Sequence, residues 1–110
     1  MPELNVLVVD DEPAVRQVLA AAIAKAGYAV ESAASAAEAL ARLDKTPVDV
    51  VLSDVFMPIT DGIELLRQAR ARGHSATFIM VTAFASVDSA IEAIKAGAWD
   101  YITKPVRNEE

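Results

Sequence analysis

The chain has 110 residues, 54% of them apolar, which suits one independently folding domain with its own core. Its formal net charge of −6 opposes direct DNA binding, because affinity for a phosphate backbone comes from clustered Lys and Arg. The chain has no Cys and a single His, which excludes thiol catalysis and a multi-histidine zinc site, so any bound metal must be held by oxygen.

Membrane contact and secretion are also disfavoured. The longest unbroken apolar stretch, from Val18 to Ala24, is far shorter than the roughly 20 residues that a bilayer span requires. The N-terminus lacks the basic start and long apolar core of a secretory signal. We therefore expect a cytoplasmic protein.

The first predicted strand and helix occupy residues 6–26. The unbroken apolar run over residues 6–9 is typical of a central strand covered on both faces. Pro13 suits the first turn of a helix. An apolar stripe from Val15 to Ala26 predicts the buried face of that helix, and Gly27 is its predicted terminator.

Two more strand–helix units follow. A weaker strand over residues 29–33 leads to a helix for which Ser35 and Glu38 form a predicted capping box. The next strand, over residues 48–52, ends just before Asp54. Asp61 is the predicted N-cap of the third helix.

The last predicted elements are a buried strand over residues 78–81, a fourth helix that Gly97 ends, and a short strand at residues 101–102. The apolar spacing predicts that the fourth helix buries Val87, Ile91, Ile94 and Ala98. Five strands with intervening helices favour an α/β fold, a doubly wound five-stranded parallel sheet in the flavodoxin-like order 2-1-3-4-5.

Groups suited to phosphoryl chemistry follow four of these strands. Asp10 and Asp11 follow the first strand, Asp54 the third, Thr82 the fourth and Lys104 the fifth. In the predicted order the carboxylates meet where the strand order reverses. Two carboxylates about 4 Å apart repel by roughly 4 kcal/mol at an effective dielectric of about 20, so such a cluster needs a cation.

Magnesium fits that requirement, because it accepts one or two carboxylates, keeps several waters and serves phosphate chemistry. Asp54 then becomes a candidate nucleophile, since carboxylates form aspartyl phosphates. Taken singly, each residue has an ordinary explanation as an N-cap, a solvated charge or a strand end. Their joint position at the carboxyl ends of strands favours a phosphoryl-transfer site.

Several motifs resemble those of one known family. They run in order over almost the whole chain: Asp10-Asp11-Glu12, Ser53-Asp54 with Met57-Pro58 and Gly62, Thr82-Ala83, Gly97-Ala98, and Asp100-Tyr101 leading into Lys104-Pro105. With these motifs, residues 1–110 resemble the receiver domain of a bacterial two-component response regulator. Thr82-Ala83-Phe84 and residues 93–98 look most like receivers of the sigma-54 activator class.

The resemblance implies that Asp54 accepts a phosphoryl group from a sensor histidine kinase and that Lys104 contacts the phosphoryl oxygens. It implies that Mg²⁺ is bound by Asp11, Asp54 and the backbone carbonyl of Phe56, with Asp10 acting largely through a coordinated water. On this reading the domain is no conventional enzyme, because it catalyses only its own phosphorylation and a slow autodephosphorylation.

The resemblance also implies a conformational switch. Thr82 would hydrogen bond to the phosphoryl group, and Tyr101 would swing inward into the space that Thr82 vacates. The switch would control an output domain, absent from this chain and expected to be transcriptional, through which the protein would contact DNA only indirectly.

Two features depart from the family pattern. Receivers end in a fifth amphipathic helix, whereas residues 107–110 supply at most one turn, so we expect this helix to be truncated or missing. The apolar face left beside the first strand would then be covered by a partner or a second copy, as in a homodimer. Phe56 and Phe84 replace polar residues near the path of attacking water, and we expect them to hinder hydrolysis of the phosphorylated form.

Two other functions stay open from the residues alone. A magnesium-dependent phosphohydrolase uses similar groups, but it would carry a second Asp where Phe56 stands and a substrate-binding cap. A receiver-like interaction module that never accepts phosphate would lack an acidic residue or the lysine, and none is missing here.

Overall fold

The computed structural model of the protein describes residues 4–104, in which strands and helices alternate. In chain order the elements are β1 Asn5–Val9, α1 Pro13–Lys25, β2 Ala29–Ala33, α2 Ala36–Lys45, β3 Val50–Ser53, α3 Gly62–Ala71, β4 Thr77–Thr82, α4 Val87–Ala96 and β5 Asp100–Thr103. Each predicted strand and each of the first four predicted helices is present, with bounds that differ by a few residues.

The five strands form one parallel sheet in the order β2-β1-β3-β4-β5, which confirms the predicted topology. Val9, the last residue of β1, pairs with Ser53, the last residue of β3. At the far edge Thr82 pairs with Thr103. Because the strand ends are aligned, the residues that follow β1, β3, β4 and β5 come out at one edge of the sheet.

Side-chain caps set where three of the helices begin. Ser35 accepts a hydrogen bond from the Glu38 backbone nitrogen, as in the predicted capping box. The Glu38 carboxylate accepts its bond from the backbone nitrogen of Ala34, one residue before the expected donor Ser35. Asp61 caps α3 as predicted, at 2.8 Å from the Glu64 nitrogen. Ser86 caps α4 through the Ser89 nitrogen. These caps fix the loops that precede the helices.

The main core lies on the face of the sheet covered by α2, α3 and α4. Leu7, Val51 and Phe78 are completely buried there. On the opposite face α1 has no buried residue, and Val18 is 67% exposed. The predicted apolar stripe of α1 is therefore only partly covered: α1 packs on β1 and β2, and Val15, Leu19 and Ile23 are half-buried, but the rest of the stripe is exposed.

The predicted inner face of α4 is wrong. Val87, Ile91 and Ile94 are at least half exposed, whereas Ser89 and Ala93 are buried. The side of α4 that faces the core is thus the side with the small residues, and the bulkier apolar residues lie on the exposed side. The final predicted member, Ala98, is buried, and Gly97 ends the helix in the left-handed conformation as predicted.

Residues 105–110, which carry the prediction of a truncated fifth helix, lie outside the described part of the chain. Within residues 4–104, the helices are all too short or too polar to pass through a lipid bilayer.

Candidate phosphoryl-transfer site

Three carboxylates come together at the carboxyl edge of the sheet. The hydrogen bonds between strands continue one residue past the strand ends. The Asp54 nitrogen donates to the Val9 carbonyl at 2.9 Å, and the Asp10 nitrogen donates to the Ala33 carbonyl at 3.1 Å. One carboxylate oxygen from each of Asp10, Asp11 and Asp54 lies within 4.8 Å of the others. The structure thus brings together the acidic residues that the sequence placed at this edge.

Lys104 bridges two of these carboxylates. Its Nζ lies 2.9 Å from Asp10 Oδ2 and 3.0 Å from Asp54 Oδ2, and its side chain is only 12% exposed. The Lys104 backbone nitrogen donates to the Thr82 carbonyl at 2.7 Å, which fixes the lysine where β5 ends. Burial by itself would lower the pKa of Lys104, but the Asp10 and Asp54 carboxylates outweigh it and hold that pKa above its ordinary value.

Asp10 is the most deeply buried of the three acids, at 1% exposure. Its Oδ1 accepts a hydrogen bond from the Glu12 nitrogen at 3.0 Å, and its backbone carbonyl accepts one from the Arg16 guanidinium at 2.8 Å. Among residues 4–104 no group makes an aligned hydrogen bond to Asp10 Oδ2, although Lys104 lies within ion-pairing distance. A buried anionic oxygen in this state favours a nearby cation.

Asp54 is held from both sides but stays within reach of solvent. Its Oδ1 accepts a hydrogen bond from the Phe56 nitrogen at 3.3 Å, while Oδ2 is held by Lys104. Its side chain is 10% exposed. A partly buried carboxylate with one amide and one ammonium partner can be approached by a small anionic group while water has limited access.

Gly62 supports Asp54 from behind through a close backbone approach. A Cβ at Gly62 would lie 2.1 Å from the Asp54 carbonyl oxygen and 2.9 Å from Ser53 Oγ. The Gly62 nitrogen donates to the Val55 carbonyl at 2.7 Å, which ties the start of α3 to the loop after β3. The glycine stands out in the sequence as part of a motif, but only the structure shows that the space beside Asp54 excludes a side chain.

The donor set of this edge fits a hard divalent cation. Three carboxylates are present, one of them exposed and one with a buried oxygen that lacks an aligned hydrogen bond. Oxygen-only ligation by carboxylates is typical of Mg²⁺ and Ca²⁺. The Phe56 nitrogen donates to Asp54 Oδ1, so the residue whose carbonyl is predicted to bind Mg²⁺ contacts the acidic cluster directly.

The other two predicted site residues lie near α4 and differ in their surroundings. Thr82 is fully buried, and its Oγ1 accepts a hydrogen bond from the Phe84 nitrogen at 3.2 Å. The Tyr101 hydroxyl hydrogen bonds with Ser89 and Ser86 at the start of α4 rather than with the acidic cluster. Sequence analysis missed both serines, although a Ser such as Ser86 just before a predicted helix is a recognised N-cap signal.

Phe56 and Phe84 meet beside the acidic cluster. Their rings pack edge to face with centroids 6.5 Å apart and an angle of 74° between the planes. Phe56 is 47% exposed and Phe84 is 74% exposed, so the pair stands on the surface and joins the loop after β3 to the loop after β4. Such pairs contribute about 0.5–1.5 kcal/mol beyond their buried area.

The fold and the acidic edge define a class of signalling domain. A family model described as the response regulator receiver domain matches residues 6–110, and the chain belongs to that family. It is 40% identical over 104 residues to the transcriptional regulatory protein ZraR of Salmonella typhimurium, covering 94% of this chain and 24% of that protein. The chain spans less than half the length of the curated relatives that it matches first.

Solved structures agree with this assignment. The chemotaxis protein CheY4 of Vibrio cholerae superposes with a TM-score of 0.90 and 34% identity, over 96% of this chain and 90% of that one. A response regulator from Burkholderia pseudomallei, solved with a phosphorylated aspartic acid and a calcium ion, gives a TM-score of 0.87 and 28% identity. That match covers 96% of this chain and 62% of the Burkholderia chain.

Proposed function

We propose that this receiver domain takes a phosphoryl group onto Asp54 from a phosphorylated histidine of a sensor kinase, in a reaction that depends on Mg²⁺. The observation that carries the proposal is the position of Lys104, whose ammonium bridges Asp54 and Asp10 while Asp11 lies beside them. The Burkholderia relative, solved with a phosphorylated aspartic acid, supports the same chemistry.

In the proposed step a carboxylate oxygen of Asp54 forms a bond to phosphorus as the phosphorus–nitrogen bond of the donor histidine breaks. The electron pair of that bond returns to the imidazole nitrogen. Asp10, Asp11, Asp54 and the Phe56 carbonyl would hold Mg²⁺, Asp10 largely through water. When bound, the ion neutralises charge on the phosphoryl oxygens and lets them approach a carboxylate.

Lys104 and the Phe56 nitrogen prepare Asp54 for this step. The ammonium already lies within hydrogen-bonding distance of Asp54 Oδ2, so it can follow the transferred oxygens with little movement. The Phe56 nitrogen keeps Asp54 Oδ1 in place at 3.3 Å. The domain would act on itself alone, through phosphorylation and slow loss of the phosphate.

The switch would follow from new contacts that the phosphoryl group offers. Thr82 would exchange its bond with the Phe84 nitrogen for one to a phosphoryl oxygen, and Tyr101 would move into the space this leaves. The phosphoryl group thus shifts a population between two states according to the contacts it makes in each.

The partners follow from the family and from the names of relatives. We propose a sensor histidine kinase as the donor and an output domain beyond residues 1–110 as the target of the switch. ZraR is named a transcriptional regulatory protein, which supports a transcriptional output and an indirect link to DNA, in the sigma-54 activator class that the motifs suggest. We place these events in the cytoplasm.

A second copy or another partner would cover the sheet face beside α1. Val18 is 67% exposed and Leu4 is 47% exposed there, and α1 buries none of its residues. Sedimentation velocity over a range of protein concentrations tests this association. The wild-type chain should associate and Val18→Asp should do so less, whereas a wild-type chain that stays monomeric at high concentration contradicts it.

Intact mass after incubation with acetyl phosphate and Mg²⁺ tests the phosphoryl transfer. We expect the mass of one phosphoryl group to be added, to vanish in Asp54→Asn, and to remain in Asp88→Asn, which changes an exposed carboxylate of α4. Repeated turnover of assorted phosphate esters would instead indicate a phosphohydrolase. A chain that stays unmodified with every donor would indicate an interaction module.

A further inference from the structure

The hydroxyl of Tyr101 belongs to a small hydrogen-bond network with two serines of α4. It bonds with Ser89 Oγ, and it accepts a bond from the Ser86 nitrogen at 3.4 Å. Ser89 is 9% exposed, and its Oγ also contacts Ser86 Oγ at 2.9 Å and the Ser86 carbonyl at 3.3 Å. The network therefore connects β5 to the first turn of α4.

Every hydroxyl in this network can be satisfied at once. Tyr101 donates to Ser89 Oγ and accepts from the Ser86 nitrogen, while Ser89 donates to the Ser86 carbonyl. Ser86 Oγ donates to Ser89 Oγ and accepts from the Ser89 nitrogen, which is the helix cap itself. Because a hydroxyl offers one donor and two acceptor sites, Ser89 uses its full capacity.

Strand pairing places Tyr101 and Thr82 on the same face of adjacent strands. Met80 pairs with Tyr101 and Thr82 pairs with Thr103, so the four residues lie on one face of two adjacent strands. Met80 belongs to the core on the α4 side of the sheet, and Tyr101 packs against that core. The phenol and the Thr82 side chain are thus diagonal neighbours beneath α4.

We propose that Ser89 is a positioning residue that holds the Tyr101 phenol against the start of α4 and thereby opposes the switched state. The inference rests on the proposed function, in which Tyr101 moves as Thr82 turns to the phosphoryl group. To move, the phenol must leave both Ser89 and the Ser86 nitrogen, whereas Ser89 keeps its two bonds to Ser86. The bond to Ser89 therefore sets part of the threshold for switching.

Loss of one neutral hydrogen bond is expected to change the ratio of the two states about threefold to tenfold. We therefore expect Ser89→Ala to lower, by about that factor, the concentration of beryllofluoride that half-saturates the protein in the presence of Mg²⁺. Beryllofluoride mimics a phosphoryl group on a carboxylate, and calorimetry can follow its binding. Ser89→Thr keeps the hydroxyl and should stay near the wild type, as should Ser75→Ala at an exposed loop position.

A double-mutant cycle separates this contact from a general effect on α4. In a Tyr101→Phe background the phenol is absent, so Ser89→Ala should change the half-saturating concentration less than twofold. An equal effect in both backgrounds, or a fall in apparent affinity in Ser89→Ala, would overturn the inference.

The contact can also be tested in the unmodified protein. Tyr28→Phe leaves Tyr101 as the sole tyrosine, and labelling with 3-fluorotyrosine then gives one fluorine resonance. We expect Ser89→Ala to move this resonance toward its position in the beryllofluoride-bound wild type, and an unmoved resonance contradicts the contact. A wild-type protein that fails to bind beryllofluoride would overturn the proposed function as well, whereas binding that Ser89→Ala leaves unchanged overturns only the role of Ser89.

Discussion

Lys104 Nζ lies 3.0 Å from Asp54 Oδ2, although the two residues are 50 positions apart in the chain. The same ammonium contacts Asp10, so one cation compensates two carboxylates that are nearly removed from solvent. This ion-paired arrangement makes the stability of the fold depend on the residues proposed for phosphoryl transfer.

Replacement of Lys104 should expose that dependence. We expect Lys104→Met to lower the free energy of unfolding by about 2 kcal/mol at neutral pH, because Asp10 and Asp54 lose their shared cation. Millimolar Mg²⁺ should restore more stability to this variant than it adds to the wild type. Urea unfolding with and without MgCl₂ measures both effects. Lys95→Met changes an exposed lysine of α4 and should cost less than about 0.5 kcal/mol.

Gly62→Ala should destabilise the loop behind Asp54. The new Cβ would lie 2.1 Å from a backbone oxygen, so the start of α3 or the Asp54 backbone must shift. We expect a loss of about 3 kcal/mol in thermal or urea unfolding, together with weaker Mg²⁺ binding. Gly73→Ala provides the control, since it strains a positive φ of 89° but meets no atom within 4 Å. Equal losses of stability in the two variants would contradict the claim that Gly62 is required because a side chain does not fit beside Asp54.

The contact between Phe56 and Phe84 is expected to slow the loss of phosphate from the phosphorylated protein. If the edge-to-face contact of Phe56 and Phe84 must open before water reaches Asp54, the combined change Phe56→Asn and Phe84→Gln should speed phosphate loss about threefold to tenfold. The decay of the phosphorylated mass after removal of the phosphodonor measures this rate. Slower loss in the double variant would reject the hypothesis.

A surface cluster of Asp44, Arg72 and His74 predicts a pH effect. The hydrogen bond from His74 is the main reason that the pKa of Asp44 lies below its ordinary value of 3.8, and the Arg72 guanidinium lowers it further. A carboxylate with a lowered pKa contributes stability that is present above that ordinary value and is lost as the pH falls through the lowered one. We therefore expect the stabilisation from Asp44 to fade only below about pH 4.

Carbon-detected NMR titration of the Asp44 carboxyl group can check this directly. His74→Ala should raise the pKa of Asp44 toward 3.8, and Arg72→Ala should raise it by a smaller amount. An Asp44 pKa that His74→Ala leaves unchanged would contradict the assignment of the cause.

Most of the fold and the residues of the acidic edge could be predicted because their signals are local. Continuous apolar runs predicted the strands, and the caps Ser35 and Asp61 predicted where two helices begin. The convergence of Asp10, Asp11 and Asp54 followed from strand order, which is a regularity of such sheets.

The errors arose where a pattern cannot show what a helix packs against. Val87, Ile91 and Ile94 have helical spacing, yet α4 buries Ser89 and Ala93, because apolar spacing alone does not show which side of a helix faces the sheet. The bond between Ser89 and Tyr101 depends on which side of α4 faces the sheet, so the apolar spacing could not locate it. The space beside Gly62 likewise depends on how α3 meets the loop after β3.

The acidic cluster lies at the carboxyl ends of the strands, so the amino ends of the strands are remote from it. Ser75 lies there in an exposed loop between α3 and β4, and the chain contains no cysteine. Ser75→Cys would therefore carry a unique thiol, to which a fluorescent dye could be coupled at a distance from Asp54. A dye at that position would label the protein without touching the residues proposed for phosphoryl transfer.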